Sequence, residues 1–150
     1  MPPPSRKPSS STRPPVVADS DYRHLAEFRR ELREFLHFSE TAARAARLQP
    51  QQHQALLAIR GFSRDRSMPV GELAAHLKVR HHSAVGMIAR MMEKGLVTKA
   101  TDPLDRRRVL VRLTQRGELS LEKLSAAHKD ELKRVGPALR RILTHLDSRA

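Results

Sequence analysis

The feature that most constrains the fold is a pair of helical patterns separated by a short break, within residues 70–93. Apolar residues three and four positions apart predict a short helix over residues 70–77 and a longer helix over residues 82–93. The inner face of the longer helix is expected to consist of Val85, Ile88, Met91 and Met92. Residues 78–80 form a tight break between them. Lys94-Gly95 closes the second helix, with glycine at the position that usually adopts a left-handed conformation.

Two strands are predicted directly after these helices. Residues 96–100 and 108–114 have the composition and alternation of strands, and the segment TDPLDRR between them contains Asp-Pro, which favours a turn. A further helix is predicted from Pro50, which suits a first helical position, to about Gly61. This order predicts a mainly α fold with a small β-hairpin wing, that is, a winged helix-turn-helix over residues 49–116.

Long helical patterns flank this region on both sides. Leu and Phe residues at helical spacing predict a helix over residues 20–47. A last helical region is predicted from about Gln115 to the end, and Gly136-Pro137 predicts a break that divides it into two helices.

The first residues differ in composition from the rest of the chain. Residues 1–17 contain six Pro and four Ser with little apolar surface, which predicts a disordered basic tail over residues 1–19. No apolar segment of the kind found in a signal peptide follows its Arg-Lys pair. Asp19 or Ser20 is expected to cap the helix that follows.

The net charge of +13 is concentrated in one part of the chain. Residues 78–116 hold ten basic and three acidic residues, whereas residues 21–50 hold six and five. A concentrated basic surface indicates a polyanionic partner. The absence of Cys excludes disulfides, Cys-ligated metal sites and thiol switches, and no apolar run is long enough to suggest a membrane span.

The predicted wing has a specific sequence pattern. The segment DPLDRRRVLVRLTQRG places D-x-R in the turn, then a short apolar strand, then L-T-x-x-G before the next helix. The defining positions are Asp105, Arg107, Leu113, Thr114 and Gly117. Together with ELAAHL and MMEKGLV upstream, residues 70–117 resemble the DNA-binding core of MarR-type transcriptional regulators. The flanking helices extend the resemblance to about residues 20–147.

The resemblance implies a homodimer that binds duplex DNA at a palindromic operator. In that family the N- and C-terminal helices interlock, so residues 20–48 and 117–147 are expected to be dimerisation helices flanking the DNA-binding residues 49–116. Their apolar stripes fit this expectation, because a chain with a small core would struggle to cover them alone. Two recognition helices are expected to enter successive major grooves about 34–36 Å apart.

The resemblance also implies which residues contact DNA. Candidates at the start or on the outward face of the recognition helix are Arg80, His81, His82, Ser83, Gly86, Met87 and Arg90. Candidates on the wing are Lys99, Asp105, Arg106, Arg107 and Arg108. Arg107 is implied to reach the minor groove with Asp105 orienting it, and Thr114 is expected to cap the next helix. Arg80 stands where the family usually has a capping side chain, so which of His81 and His82 faces the bases stays open.

Members of this family often release DNA when a small aromatic or anionic effector binds between the dimer helices and the DNA-binding lobe. Possible lining residues, for which core packing is the alternative, are Phe28, Phe35, His37, Phe38 and Phe62. The absence of Cys excludes the cysteine-oxidation switch that some relatives use. No cofactor is predicted.

The eight histidines raise the alternative of a metal site. No H-E-x-x-H sequence occurs, and neighbours such as His81 and His82 point about 100° apart on a helix, so no metal is predicted. Histidines near DNA instead predict an affinity that differs between about pH 6 and pH 8. No nucleophile–base arrangement and no Gly-rich phosphate loop occurs, so the chain is not predicted to be an enzyme.

These observations together predict a cytoplasmic, dimeric transcriptional regulator, a repressor released by a small molecule. The main alternative is a non-specific or architectural nucleic-acid-binding protein, including an RNA-binding winged helix. A second alternative is a partner-binding dimer that keeps the fold without the DNA contacts.

Overall fold

The computed structural model describes residues 17–148. Of the tail predicted over residues 1–19, residues 1–16 lie outside the described residues. Its last residue, Asp19, is the first residue of a helix. The helices and strands are α1 (Asp19–Ala45), α2 (Pro50–Phe62), β1 (Ser67–Pro69), α3 (Val70–Leu77), α4 (His81–Glu93), β2 (Val97–Thr101), β3 (Val109–Leu113) and α5 (Gln115–Asp147).

The winged helix-turn-helix expected from the spacing of apolar residues is confirmed. α3 and α4 form the helix-turn-helix, and Lys78 ends α3 in the left-handed conformation with a φ of 53°. Gly95 adopts the expected left-handed conformation after α4, with a φ of 69°. β2 and β3 pair antiparallel and form the wing.

A third strand, β1, was not expected from the sequence. It pairs antiparallel with β3, so the sheet has the order β1-β3-β2 and β3 is its central strand. Met68 of β1 lies opposite Val111 of β3, and both side chains are buried. β1 therefore ties the loop after α2 to the base of the wing.

The hydrophobic core lies between the sheet and the helices α2, α3 and α4. Its fully buried members include Leu56 and Ile59 of α2, Leu73 of α3, Met91 of α4 and Val111 of β3. Burial of each such side chain contributes roughly 1.5–3 kcal/mol to folding. This core fixes α4 and the wing relative to each other.

The predicted break at Gly136-Pro137 is wrong, because α5 is one continuous helix with Pro137 inside it. Proline removes one helical hydrogen bond and normally kinks or ends a helix. Contacts with α1 hold α5 on both sides of this position. His128 meets Ser39 before it, with 2.8 Å between Nε2 and Oγ, and His145 stacks on His24 after it, with ring centroids 4.8 Å apart.

The helix ends show how far capping can be predicted from the sequence. Thr114 caps α5 as expected, since its hydroxyl accepts a hydrogen bond from the Gly117 amide at 3.1 Å. The expected cap of α1 by Asp19 or Ser20 is wrong. The N-cap is Ala18, whose amide donates to the carboxylate of Asp21 at 2.9 Å.

Candidate nucleic-acid interface

The first turn of α4 presents polar side chains to solvent. The helix begins at His81, one residue earlier than expected, and Arg80 is its N-cap without a side-chain capping bond. His81, His82 and Ser83 are all exposed, as is Arg90 further along the helix. The amides of this turn and these side chains are therefore free of the protein core and available to a partner.

The buried face of α4 is rotated slightly from the expected one. Ala84, Met87, Ile88 and Met91 form it, at helical spacing. Met87 is only 4% exposed, so its expected place on the outward face is wrong. Val85, which was expected inside, is 45% exposed because it lies about 100° around the helix from buried Ala84.

The same rotation exposes Met92, which was also expected inside. Gly86 is partly exposed, and a Cβ atom there would meet only the tip of Arg90 at 3.5 Å. That distance is an ordinary contact, so packing within the chain does not require a glycine at this position.

Two aspartates hold the turn of the wing. Buried Asp102 accepts a hydrogen bond from the Leu104 amide at 2.9 Å and forms an ion pair with Arg108 at 3.9 Å. Asp105 accepts from the amide of Arg107 at 3.1 Å and from its Nε at 3.4 Å. The contact between Asp105 and Arg107 is the geometry that the resemblance implied for an orienting carboxylate.

The cations of the wing extend into solvent. The Arg107 side chain is 92% exposed, and Arg106, Arg108 and Lys99 are exposed as well. Exposed ion pairs such as Arg107–Asp105 contribute little to stability. These charges are therefore better placed to bind an external anion than to hold the hairpin together.

A groove of about 440 Å³ lies between α4, the start of α3 and the wing. Its walls bring together His81 of the recognition helix and Lys99, Arg107 and Arg108 of the wing. Val85 and Val109 supply apolar lining that was not anticipated as part of the site. The candidate residues of the two elements thus face one shared concavity.

The expected effector crevice is not assembled as proposed. Phe35 and Phe38 pack edge-on against His128, with centroid distances of 5.9 and 5.4 Å, while His37 is exposed. Phe62 is 68% exposed and stacks on His76 at 4.5 Å. Phe62 is the last residue of α2, whereas His53, near the start of that helix, contacts His128. Nine residues separate Phe62 from His53, a distance of about 13.5 Å along the helix axis.

Phe28, the fifth candidate, is half-buried in α1. Phe35 and Phe38 are likewise half-buried, and both rings contact His128. Phe62 lies at the other end of α2, away from these two rings.

A pair of histidines joins α2 to α5, and no sequence pattern indicated this contact. The rings of buried His53 and half-buried His128 have centroids 4.8 Å apart. His128 Nδ1 donates to the Leu124 carbonyl at 2.6 Å, so in the neutral ring Nε2 accepts from the Ser39 hydroxyl. Burial, and then the charge of His128, lower the pKa of His53.

Within residues 17–148, no three His, Asp or Glu side chains come together as possible metal ligands. No helix in that part of the chain is both long and apolar enough to span a membrane.

Comparison with known proteins gives a family match over the winged helix-turn-helix. Residues 48–108 match the model of the MarR family. The resemblance to MarR-type regulators is confirmed. No curated protein sequence matches the chain.

Similarity to solved structures covers more of the chain than the family model does. AbsC, a MarR family transcriptional regulator from Streptomyces coelicolor, is 21% identical with a TM-score of 0.71, over 90% of this chain and 92% of that chain. A mutant of MepR from S. aureus, bound to an oligodeoxyribonucleotide, is 18% identical with a TM-score of 0.65, over 83% and 97%. BpsR from Bordetella bronchiseptica is 21% identical with a TM-score of 0.61, over 91% and 96%. The chain therefore has the fold of MarR family transcriptional regulators, including the flanking helices.

Proposed function

We propose that this protein is a sequence-specific regulator of transcription that binds duplex DNA through α4 and the wing. The observation that supports this most is the groove in which His81 faces Lys99, Arg107 and Arg108. An α-helix fits the major groove, and a basic hairpin beside it reaches phosphates or the adjacent minor groove. The structure of MepR with an oligodeoxyribonucleotide supports the same use of the fold.

The proposed contacts follow from exposure on these two elements. Arg80, His81, His82, Ser83 and Arg90 are the proposed contacts on α4, with Gly86 allowing the backbone to approach. Lys99, Arg106, Arg107 and Arg108 are the proposed contacts on the wing, with Asp105 holding Arg107. Buried Met87 is left out of this set.

The regulator is proposed to act as a homodimer on a palindromic operator. Large apolar side chains on α1 and α5 are exposed in the single chain: Tyr22, Leu25, Leu32, Leu36, Leu132 and Leu143. An apolar surface of this kind is typical of a protein interface. A dimer would place its two recognition helices about 34–36 Å apart, on successive turns of the major groove.

The protein is further proposed to be a cytoplasmic repressor that releases DNA when a small aromatic or anionic molecule binds. The structure of BpsR, which concerns regulation of its DNA binding by 6-hydroxynicotinic acid, supports this mode for the fold. Such a ligand would have to bind the geometry that does not fit the operator more tightly than the one that does.

Selection from a random pool of duplexes tests the central proposal. The full chain should enrich one imperfect palindrome and prefer it over random DNA by about 10³ or more at physiological salt. Equal affinity for all duplexes would favour an architectural nucleic-acid binder instead. Absence of DNA binding would favour a partner-binding dimer.

A matched pair of charge reversals tests the wing. Arg106→Glu with Arg107→Glu should strongly lower the affinity for the selected palindrome, because two exposed cations of the wing become anions that phosphates repel. Lys123→Glu with Lys129→Glu changes the net charge equally on an exposed part of α5 and should leave that affinity in place. If both double variants lose affinity to the same extent, the wing is not the DNA-binding element.

A further inference from the structure

The tip of the wing carries one fully exposed leucine. Leu104 is 97% exposed, more than any other large apolar side chain among residues 17–148, the next being Phe62 at 68%. Most of the others lie on helix faces that continue an apolar stripe, whereas Leu104 occupies a turn, where polar residues are usual. Exposure this complete leaves the side chain without packing partners in the chain.

The turn around Leu104 is nevertheless well ordered. The Leu104 amide donates to Asp102, as described above, and the Asp102 amide donates to the Arg108 carbonyl at 3.0 Å. The Arg108 amide in turn donates to the Asp105 carbonyl at 2.9 Å. Pro103, directly before Leu104, has its own φ fixed by its ring. These hydrogen bonds close the turn that carries Leu104 at the tip of the wing.

The surroundings of Leu104 restrict the kind of partner that it fits. Exposed arginines follow it at positions 106, 107 and 108, so the partner must offer anionic groups beside an apolar surface. An apolar protein surface would leave these arginines without counter-charges. The minor groove of DNA has phosphates along both rims and sugars and base edges between them, and base faces become accessible where a step unstacks. It therefore offers both features.

We propose that Leu104 is an apolar wedge that enters the minor groove and packs against the sugars and base faces at the step beneath the wing. This rests on the proposed function, since it requires the wing to meet duplex DNA. Apolar wedges unstack the step they contact and bend the duplex, and pyrimidine–purine steps such as TA yield most easily. Leu104 would thus add a preference for a deformable step at the outer edge of each half-site.

Leu104→Ala tests this on the palindrome that selection yields. Its affinity should fall roughly 10- to 100-fold, the factor expected when the burial of a leucine side chain is lost. The salt dependence should not change, because no phosphate contact is removed. Energy transfer between dyes at the two duplex ends should report a smaller bend with Leu104→Ala than with the unmodified protein.

Two comparisons make the result specific. Leu57→Ala removes an equally large exposed leucine from α2 and should leave both affinity and bend unchanged. Replacing TA by a stiffer AA step under the wing should weaken the unmodified protein and have little effect on Leu104→Ala. An unchanged affinity and bend for Leu104→Ala would overturn the wedge.

The two proposals can fail separately. If the unmodified protein binds all duplexes equally, the regulator proposal fails, and Leu104→Ala is then compared with it on duplexes with and without TA steps. A difference there supports the wedge in a non-specific binder. The absence of any DNA binding would overturn both.

Discussion

The winged-helix region (residues 49–116) and the helical pair (α1 and α5) differ in what they expose. The exposed side chains of α4 and the wing are mainly cations and histidines. Most of the large apolar residues of this region form a buried core, and Leu104 at the tip of the wing is the most exposed exception. The helical pair has nearly balanced charge but exposes leucines along both helices. A charged surface is well hydrated when no anion is bound to it, whereas an apolar surface is stabilised when another protein surface buries it. The contrast distinguishes the proposed DNA-binding face on α4 and the wing from the proposed assembly face, which is formed by the exposed leucines of α1 and α5.

The two regions are joined by specific polar contacts. Lys94, at the end of α4, donates to the Arg47 carbonyl after α1 at 2.9 Å and to Gln52 of α2 at 3.1 Å. Buried Gln52 also accepts from the Gln49 amide at 3.1 Å. Lys94 therefore links the end of α4 to the segment between α1 and α2.

The largest effect is expected from placing charge on the assembly face. Leu36→Glu combined with Leu132→Glu should convert the protein into monomers, because it puts carboxylates into an apolar contact. Operator affinity should fall by about 10²–10⁴, the gain that linking two binding sites usually provides. Analytical ultracentrifugation and binding titrations measure the two quantities.

Leu57→Glu is the matched control for this pair, because Leu57 is a similarly exposed leucine on α2, outside the helical pair. It should remain dimeric. A dimer that persists in the double variant would show that α1 and α5 expose these leucines for another reason.

A second substitution tests how closely the two regions pack. A Cβ atom at Gly117 of α5 would lie 2.1 Å from the Leu96 carbonyl oxygen, a backbone atom that cannot rotate away. Gly117→Ala should therefore lower the free energy of unfolding by about 1–3 kcal/mol or more, as overpacking does. Urea denaturation measures this change.

Gly61→Ala is the control for crowding, since a Cβ atom there would meet nothing within 4 Å. It should leave stability unchanged or slightly raised. An unchanged stability in Gly117→Ala would mean that α5 can shift relative to the wing at little cost.

The sequence predicted the winged-helix region better than the contacts between the regions. Periodicity was sufficient for α2, α3, α4 and the hairpin, because their apolar residues pack locally. It could not choose between Ala84 and Val85 as the buried position of α4, since both are apolar and adjacent. β1 was too short to produce an alternating pattern, and it depends on pairing with a distant strand.

Contacts between distant segments explain the other differences. The contacts of α5 with α1 lie on both sides of Pro137 and keep the helix continuous, against the local preference for a break. Likewise, nothing in the sequence separates Phe62 from Phe35 and Phe38. The direction and length of α2 carry Phe62 away from these two rings and place it against His76 of α3.

The contact between His53 of α2 and His128 of α5 joins the two regions, and it should make the free energy of unfolding depend on pH. The folded state lowers the pKa of His53 below its usual 6.5, so the unfolded chain binds a proton more readily. Burial of His53, and then the charge of His128, disfavour the protonated form of His53, so the stability contributed by neutral His53 is fully present above about pH 6.5 and is lost as the pH falls. Unfolding free energies measured from pH 8 to pH 5 should decrease over the acidic part of this range.

His53→Phe keeps a ring at this position without a charge and should flatten that decrease. His82→Phe, on the exposed surface of α4, is the control and should retain it. If His53→Phe leaves the pH dependence as it was, another group is responsible for it.

The smallest effect is expected at Gly86, where stability and DNA binding can be separated. Alanine fits there with only an ordinary contact to Arg90 at 3.5 Å, so Gly86→Ala should raise the free energy of unfolding, by about 0.5–1 kcal/mol. If α4 approaches DNA closely at this position, the added methyl group should at the same time weaken operator binding. Gly61→Ala provides the matched comparison on α2, where binding should not change. Higher stability with unchanged affinity would show that Gly86 is tolerated in α4 and does not face the operator.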